Sequence, residues 1–137
     1  GKKGLNFTLK WSMETMTITE EVNYRRIDCF STDDNGFLGK IVLRLRFPVE
    51  FFDVFISPRL IQSEGHYPPD EDEGPEPIAR ALLTLDKDGL NDIQNDLLSM
   101  LPKLNRTQDI VPQWLQLYSM ITLAQNGHVV VHSILDD

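Results

Sequence analysis

Cysteine is the residue type in this chain best suited to act as a nucleophile, and it occurs once. Cys29 falls in an alternating segment, directly after Asp28. A nucleophilic cysteine needs a nearby base or a helix N-terminus to lower its pKa, whereas an adjacent carboxylate raises it. We therefore expect Cys29 to be a buried structural residue without a catalytic role.

The three histidines are spaced in a way that disfavours a metal site. His128 and His132 would share one face of a strand, where a rise of ~3.3 Å per residue separates them by about 13 Å. That distance is too long for two ligands of one metal ion. His66 lies in a proline-rich stretch without an evident partner. We expect no metal and no cofactor.

The run from Asp70 to Glu73 is a dense cluster of negative charge. A calcium loop spaces its oxygen ligands at alternate positions around a central glycine, and this run does not. We interpret it as a solvated loop that steers a protein partner with a basic surface. The sequence also lacks the glycine-rich phosphate-binding loops, the nucleophile elbow and the kinase signature.

The composition fits one folded domain and excludes several classes of function. The chain has 137 residues, a net charge of -8 and a single cysteine. A chain of this length buries enough surface to fold without disulfides. Its charge disfavours nucleic acid and anionic membranes, which attract basic proteins. The apolar runs are too short to span a bilayer and no signal peptide is apparent. We expect one intracellular domain over residues 1–137, with no nucleic-acid or membrane partner.

The first half of the chain shows the apolar alternation that is typical of β-strands. A turn is predicted at 33–36, where Asn and Gly accept the positive φ of a tight hairpin. The predicted strands, in the order of a meander, are 5–11, 16–18, 24–30, 40–47 and 51–56.

The strand at 40–47 has one apolar and one charged face. Ile41, Leu43 and Leu45 are predicted to point into the core. Proline cannot donate to a ladder, so Pro48 should end the strand. We interpret the charged side as a solvated sheet face. The residues of that side are Lys40, Val42, Arg44 and Arg46, with Arg25 and Arg26 close in sequence.

The second half of the chain shows helical periodicity. Apolar residues recur at three- and four-residue spacing over 90–104. A second amphipathic helix fits 113–125, and its predicted apolar face consists of Trp114, Leu117, Tyr118, Ile121 and Ala124. Asp86 or Asp88 is placed to cap the first helix, and Pro102 should end it near Met100.

Between the two halves, residues 62–77 contain four prolines, two glycines and the acidic run, which predicts a loop. A final short strand is predicted at 129–131. Strands followed by helices imply an α+β fold, in which two C-terminal helices pack on one face of an antiparallel sheet. The predicted core residues are Ile41, Leu43, Leu45, Leu97, Leu101, Trp114 and Leu117.

The middle of the chain contains three short motifs, Leu43-x-Leu45-x-Phe47-Pro48, Phe55-Ile56-Ser57-Pro58 and Tyr67-Pro68-Pro69. In these motifs the sequence resembles the RWD domain, a non-catalytic branch of the ubiquitin-conjugating-enzyme-like superfamily. The resemblance implies a meandering sheet backed by helices and a role in protein interaction. Conjugating enzymes carry a His-Pro-Asn tripeptide before the catalytic cysteine, and this chain has none. A helix between the early strands and the acidic loop would count against the resemblance.

We therefore expect a non-catalytic protein–protein interaction domain, part of a larger protein in a ubiquitin-ligase, kinetochore or signalling assembly. Two alternatives stay open: an enzyme of unknown type that uses carboxylates in a pocket, and a PH-like or trafficking adaptor domain. Binding surfaces favour aromatic and large apolar side chains that can be desolvated. The predicted partner-binding residues are Phe51, Phe52, Tyr67, Asp70, Glu71, Asp72 and Glu73.

Overall fold

The computed structural model describes residues 23–72, 74–104 and 110–132. Over these ranges the chain has the predicted α+β class, with a five-stranded antiparallel sheet and three α-helices. The strands predicted at 5–11 and 16–18 lie outside the described residues, as does Glu73.

Two strands, β1 (Tyr24–Thr32) and β2 (Leu38–Pro48), form the first hairpin and confirm the predictions for this part of the chain. The turn between them is held by Asp33, whose side chain accepts a hydrogen bond from the backbone N–H of Phe37 at 2.8 Å. Gly36 has a φ of 82°, a conformation that favours glycine. The turn predicted at 33–36 is therefore present, with the positive φ at Gly36 and not at Asn35.

Helix α1 (Val49–Phe55) occupies most of the segment that was predicted to be a strand at 51–56, so that prediction is wrong. Helical spacing places the ring of Phe51 4.6 Å from that of Phe55 and 5.9 Å from that of Phe47. A short apolar run fits a buried strand or a helix equally well from periodicity alone, and here the aromatic packing favours the helix. This helix lies between the early strands and the acidic loop, which counts against the RWD resemblance.

The second hairpin consists of β3 (Leu60–Tyr67) and β4 (Ile78–Leu85). Residues 62–67, predicted to belong to a loop, are strand, so the loop is confined to 68–77. The side chains of β3 mostly face solvent. An exposed strand does not need an apolar face, and so it gives no alternation to detect.

The predicted helices are α2 (Lys87–Met100) and α3 (Val111–Gln125). At the start of α2, the carboxylate of Asp86 accepts a hydrogen bond from the backbone N–H of Gly89 at 2.9 Å, so the predicted cap is confirmed. The helix ends two residues before Pro102, also as predicted.

Trp114 links the two long helices. Its indole Nε1 donates a hydrogen bond to the backbone oxygen of Leu97, at 2.9 Å. Leu97 lies in the last turn of α2, where carbonyl groups lose their partners within the helix. The indole therefore satisfies one of these carbonyls and fixes the start of α3 against the end of α2.

The strand order of the sheet is β2-β1-β5-β4-β3, with the short β5 (Val129–His132) in the centre. The predicted meander is therefore wrong, because the last strand of the described chain separates the two hairpins. The edge strands β2 and β3 also approach each other. A Cβ atom placed on Gly65 of β3 would lie 2.8 Å from Leu38 Cδ1 of β2. The sheet is thus strongly curved.

The main core lies between the sheet and the three helices, and a smaller cluster fills the concave face. Five of the seven predicted core residues pack in the main core: Leu45, Leu97 and Leu117 are buried, and Leu43 and Trp114 are partly buried. The small cluster consists of Leu38, Leu82 and Val131, with Phe30, Tyr67 and Val129 packed against it.

Ile41 and Leu101 were predicted to be buried and are not, with 36% and 46% of their surface exposed. The pairing of β1 with β2 shifts register between Cys29 and Phe30, so Cys29 pairs with Leu43 but Phe30 pairs with Ile41. This irregularity adds one residue to β2 and reverses the alternation before it. Leu101 is exposed because the α-helix has already ended.

No helix in the described ranges is long and apolar enough to cross a bilayer.

Candidate interaction site

Cys29 is fully buried, as the sequence predicted. Burial and the neighbouring Asp28 raise the pKa of its thiol to about 11. A thiol in this environment stays protonated near neutral pH, and the thiolate is the reactive form. The described surroundings of Cys29 therefore disfavour nucleophilic chemistry.

The histidines do not converge. His132 Nδ1 lies 3.0 Å from the backbone oxygen of Arg26, and His128 Nδ1 lies 3.1 Å from that of Leu123. His66 Nε2 is 3.5 Å from a carboxylate oxygen of Glu64. Within the part of the chain that the structure describes, no three side chains of His, Cys, Asp or Glu are grouped to hold a metal ion.

The predicted partner-binding residues lie on different sides of the sheet. Phe52 is only 3% exposed and belongs to the core under the helices, so its assignment to a binding surface is corrected. Phe51 is partly buried against the same core. Tyr67 packs with the small cluster on the concave face. The sequence prediction grouped these residues because they lie near prolines, but the fold places them on different sides of the sheet.

Tyr67 and the acidic residues stay together at the end of the second hairpin. The Tyr67 ring meets Phe30 edge-on at 6.4 Å, and the guanidinium of Arg80 lies 5.8 Å from the ring centroid. Beyond it, Asp70, Glu71 and Asp72 are exposed. The tyrosine is thus largely engaged within the fold, while the acidic loop presents charge to solvent.

A cluster of arginines lies on the concave face of the first hairpin. Arg26 pairs with Arg46, and Asp28 pairs with Arg44. The side chain of Asp28 is 93% buried, and its Oδ1 lies 3.2 Å from Arg26 Nε and 3.4 Å from Arg44 Nε. Neither contact is aligned as a hydrogen bond. The Asp28 carboxylate is therefore stabilised by the positive charges of Arg26 and Arg44. The arginines of this cluster outnumber this one carboxylate.

An open groove of about 430 Å³ separates the outer edge of β2 from α3. Two of its largest apolar side chains are well exposed, Val42 by 48% and Tyr118 by 55%. The Tyr118 ring is stacked on that of Trp114, with the ring centroids 5.6 Å apart. The lining residues are Val42, Leu43, Tyr118, Ser119, Thr122, Leu123 and His128.

Gln116 of α3 binds the backbone of β2 at one end of this groove. Its Oε1 accepts a hydrogen bond from Arg46 N at 2.9 Å, and its Nε2 donates to Arg46 O at 2.7 Å. A neighbouring strand would make the same pair of bonds with this residue. The side-chain amide of Gln116 therefore takes the place of a peptide group from a neighbouring strand. Its two bonds show that the backbone N–H and C=O of Arg46 point away from β1.

Sequence reasoning missed this groove for two reasons. Val42 was assigned to the charged face, because an undisturbed strand would place it there, and the register shift moves it beside Leu43. Tyr118 was assigned to the apolar stripe of its helix. Apolar residues occur on most sides of α3, so periodicity does not tell its buried face from its exposed one.

Comparisons with protein-family models, with curated proteins and with solved structures find no match to this chain.

Proposed function

We propose that this chain is a non-catalytic protein–protein interaction domain. The observation that supports the proposal best is the groove between β2 and α3. Exposed apolar side chains there adjoin a strand edge, and desolvation of such side chains is favourable. Burial raises the pKa of the Cys29 thiol, which disfavours a catalytic role for that residue.

The acidic loop at 68–77 is a second part of the proposed surface. Its exposed carboxylates favour a partner with a basic region and accelerate encounter. Tyr67 contributes less than its sequence position implied, because its ring packs against Phe30. The RWD resemblance adds little support, since the strand order is not a meander.

The proposal is tested by affinity capture from an extract of the source cells with three matched proteins. One carries Tyr118→Ala, one carries serine at 70–73, and one carries the surface change Lys103→Ser as a control. We expect the Tyr118 variant to lose proteins that the wild type and the control both recover. Recovery of identical proteins by all of them at moderate salt would contradict the proposal.

A further inference from the structure

The outer edge of β2 combines features that define a particular kind of ligand. The side chain of Gln116 occupies the backbone N–H and C=O of Arg46 near one end of β2. At the other end of the strand, Leu38 approaches Gly65 of β3. Between these two points, no strand of the described ranges pairs with the outer side of β2. The stretch 39–45 is therefore uncovered, and its regular part is 43–45, because the pairing of β2 with β1 shifts register on both sides of Phe30.

The direction of the backbone groups follows from Gln116. Because Arg46 directs both N–H and C=O away from β1, Arg44 does the same, since this orientation repeats every second residue of an antiparallel strand. Arg44 thus offers one donor and one acceptor to an extended peptide. Addition of a peptide strand to a sheet edge is a general mode of recognition.

The two faces of the edge differ in chemistry. Arg44 and Arg46 point to the concave face, whereas Leu43 points to the groove under α3. Successive side chains of an added strand point alternately to these two faces. Residues facing the groove would pack on apolar side chains, and residues between them would lie beside the arginines.

The charge of β2 opposes that of the chain as a whole. Its eleven residues include Lys40, Arg44 and Arg46 and no acidic residue, in a chain with a net charge of -8. All three basic residues are exposed. This local charge selects acidic over basic peptides.

We infer that the edge of β2 binds an extended acidic peptide in which carboxylate and aliphatic side chains alternate. The inference rests on the proposed interaction function and specifies its ligand. The peptide adds as a sixth strand beside Arg44, its aliphatic side chains enter the groove at Val42 and Tyr118, and its carboxylates face Arg44 and Arg46.

The test uses a fluorescein-labelled peptide of sequence Gly-Glu-Val-Glu-Ile-Glu-Val-Glu and measures fluorescence anisotropy at low salt. Two peptides serve as controls, one with the same residues in block order and one with Lys in place of Glu. We expect the alternating acidic peptide to bind at least tenfold more tightly than either. Equal affinity for the block-order peptide would overturn the inference.

Variants of the protein locate the site. We expect Arg46→Glu to weaken binding at least tenfold and Ile61→Glu, an exposed position on the other edge strand, to leave it within about twofold. Arg46 is chosen because Arg44 also contacts the buried Asp28. Peptide should also slow hydrogen exchange at the Arg44 amide, which a merely electrostatic association would not do. Unchanged exchange at Arg44, or equal effects of both variants, would overturn the inference.

The inference can fail while the proposed function stands. If Tyr118→Ala loses protein partners from extract but the alternating peptide does not bind, the domain binds proteins and the ligand named here is wrong. If the protein dimerises through this edge without peptide, as seen by analytical ultracentrifugation and abolished by Arg46→Glu, the occupant is a second copy and the peptide assignment is likewise overturned.

Discussion

Arg59 Nη1 lies 2.6 Å from Asp96 Oδ2, and this ion pair joins the 3-10 helix at Ser57–Arg59 to the middle of α2. The same Nη1 donates to the backbone oxygen of Phe55 at 3.0 Å. One guanidinium therefore connects the end of α1 to α2, between segments that are far apart in sequence.

Asp96→Ala should destabilise the protein by roughly 1 kcal/mol, because the pair is partly exposed and exposed pairs contribute little. Asp92→Ala, an exposed position on the same helix, is the control and should change the free energy of unfolding by less. Urea denaturation measures both. The difference should shrink at high salt, and a salt-independent difference would point to packing in place of charge.

Leu97 and Leu98 are adjacent in α2 and differ in burial, with 3% and 59% of their surface exposed. Leu97→Ala should cost about 2–5 kcal/mol through lost contacts and a cavity in the core. Leu98→Ala should stay within about 0.5 kcal/mol, as expected at the surface. Both variants are measured by chemical denaturation. Similar costs would show that the face of α2 against the sheet is assigned wrongly.

The thiol of Cys29 should react very slowly with a disulfide reagent such as DTNB in the native protein at pH 8. Its pKa of about 11 leaves little thiolate, and the side chain has no exposed surface. In urea, reaction should become fast. Rapid labelling of the folded protein would contradict the buried position of this residue.

The same thiol should make stability depend on alkaline pH. Its pKa is raised from 9.0 to about 11, so the folded protein holds this proton more tightly than the unfolded chain. The stabilisation is complete below pH 9 and is lost as the pH rises from 9 towards 11. Relative to Cys29→Ala, the wild type should lose on the order of 2 kcal/mol in this window. Parallel pH profiles for the two proteins would refute the raised pKa.

Gly65 should not tolerate a larger residue, because its Cα faces Leu82 and Leu38 where the two edge strands approach. Gly65→Ala should cost about 1–3 kcal/mol from overpacking. Ser63→Ala, exposed on the same strand, is the control. Combining Gly65→Ala with Leu82→Ala should recover part of the loss, since the second change removes the side chain that the added methyl group meets. Additive costs in thermal or urea unfolding would contradict this account.

The elements predicted well were those whose first and last residues are marked in the sequence by a capping residue or a proline. Asp86 and Pro102 bracket α2 in the sequence and in the structure. The elements predicted poorly depend on distant contacts. Whether 51–56 is helix or strand is decided by packing on Phe47, and β3 shows no apolar period because its side chains face solvent.

The groove between β2 and α3 could not be predicted because it arises from a register shift. The sequence assigns Ile41 to the core and Val42 to the charged face, and one extra residue in β2 exchanges them. Pairing irregularities depend on the partner strand, so a single strand's alternation does not report them. The acidic loop, by contrast, was located from sequence because its charges and prolines have no place in a core.

The central position of β5 has a consequence for how the protein is made. Both hairpins are complete by Leu85, yet within the described residues β5 (Val129–His132) is the strand that joins them by hydrogen bonds into one sheet. Until the ribosome has released β5, the inner edges of the two hairpins, β1 and β4, are without their partner strand. Exposed edges of this kind associate readily with other chains. We therefore expect the interval between synthesis of β4 and of β5 to be the stage at which these two inner edges are open to pairing with other chains.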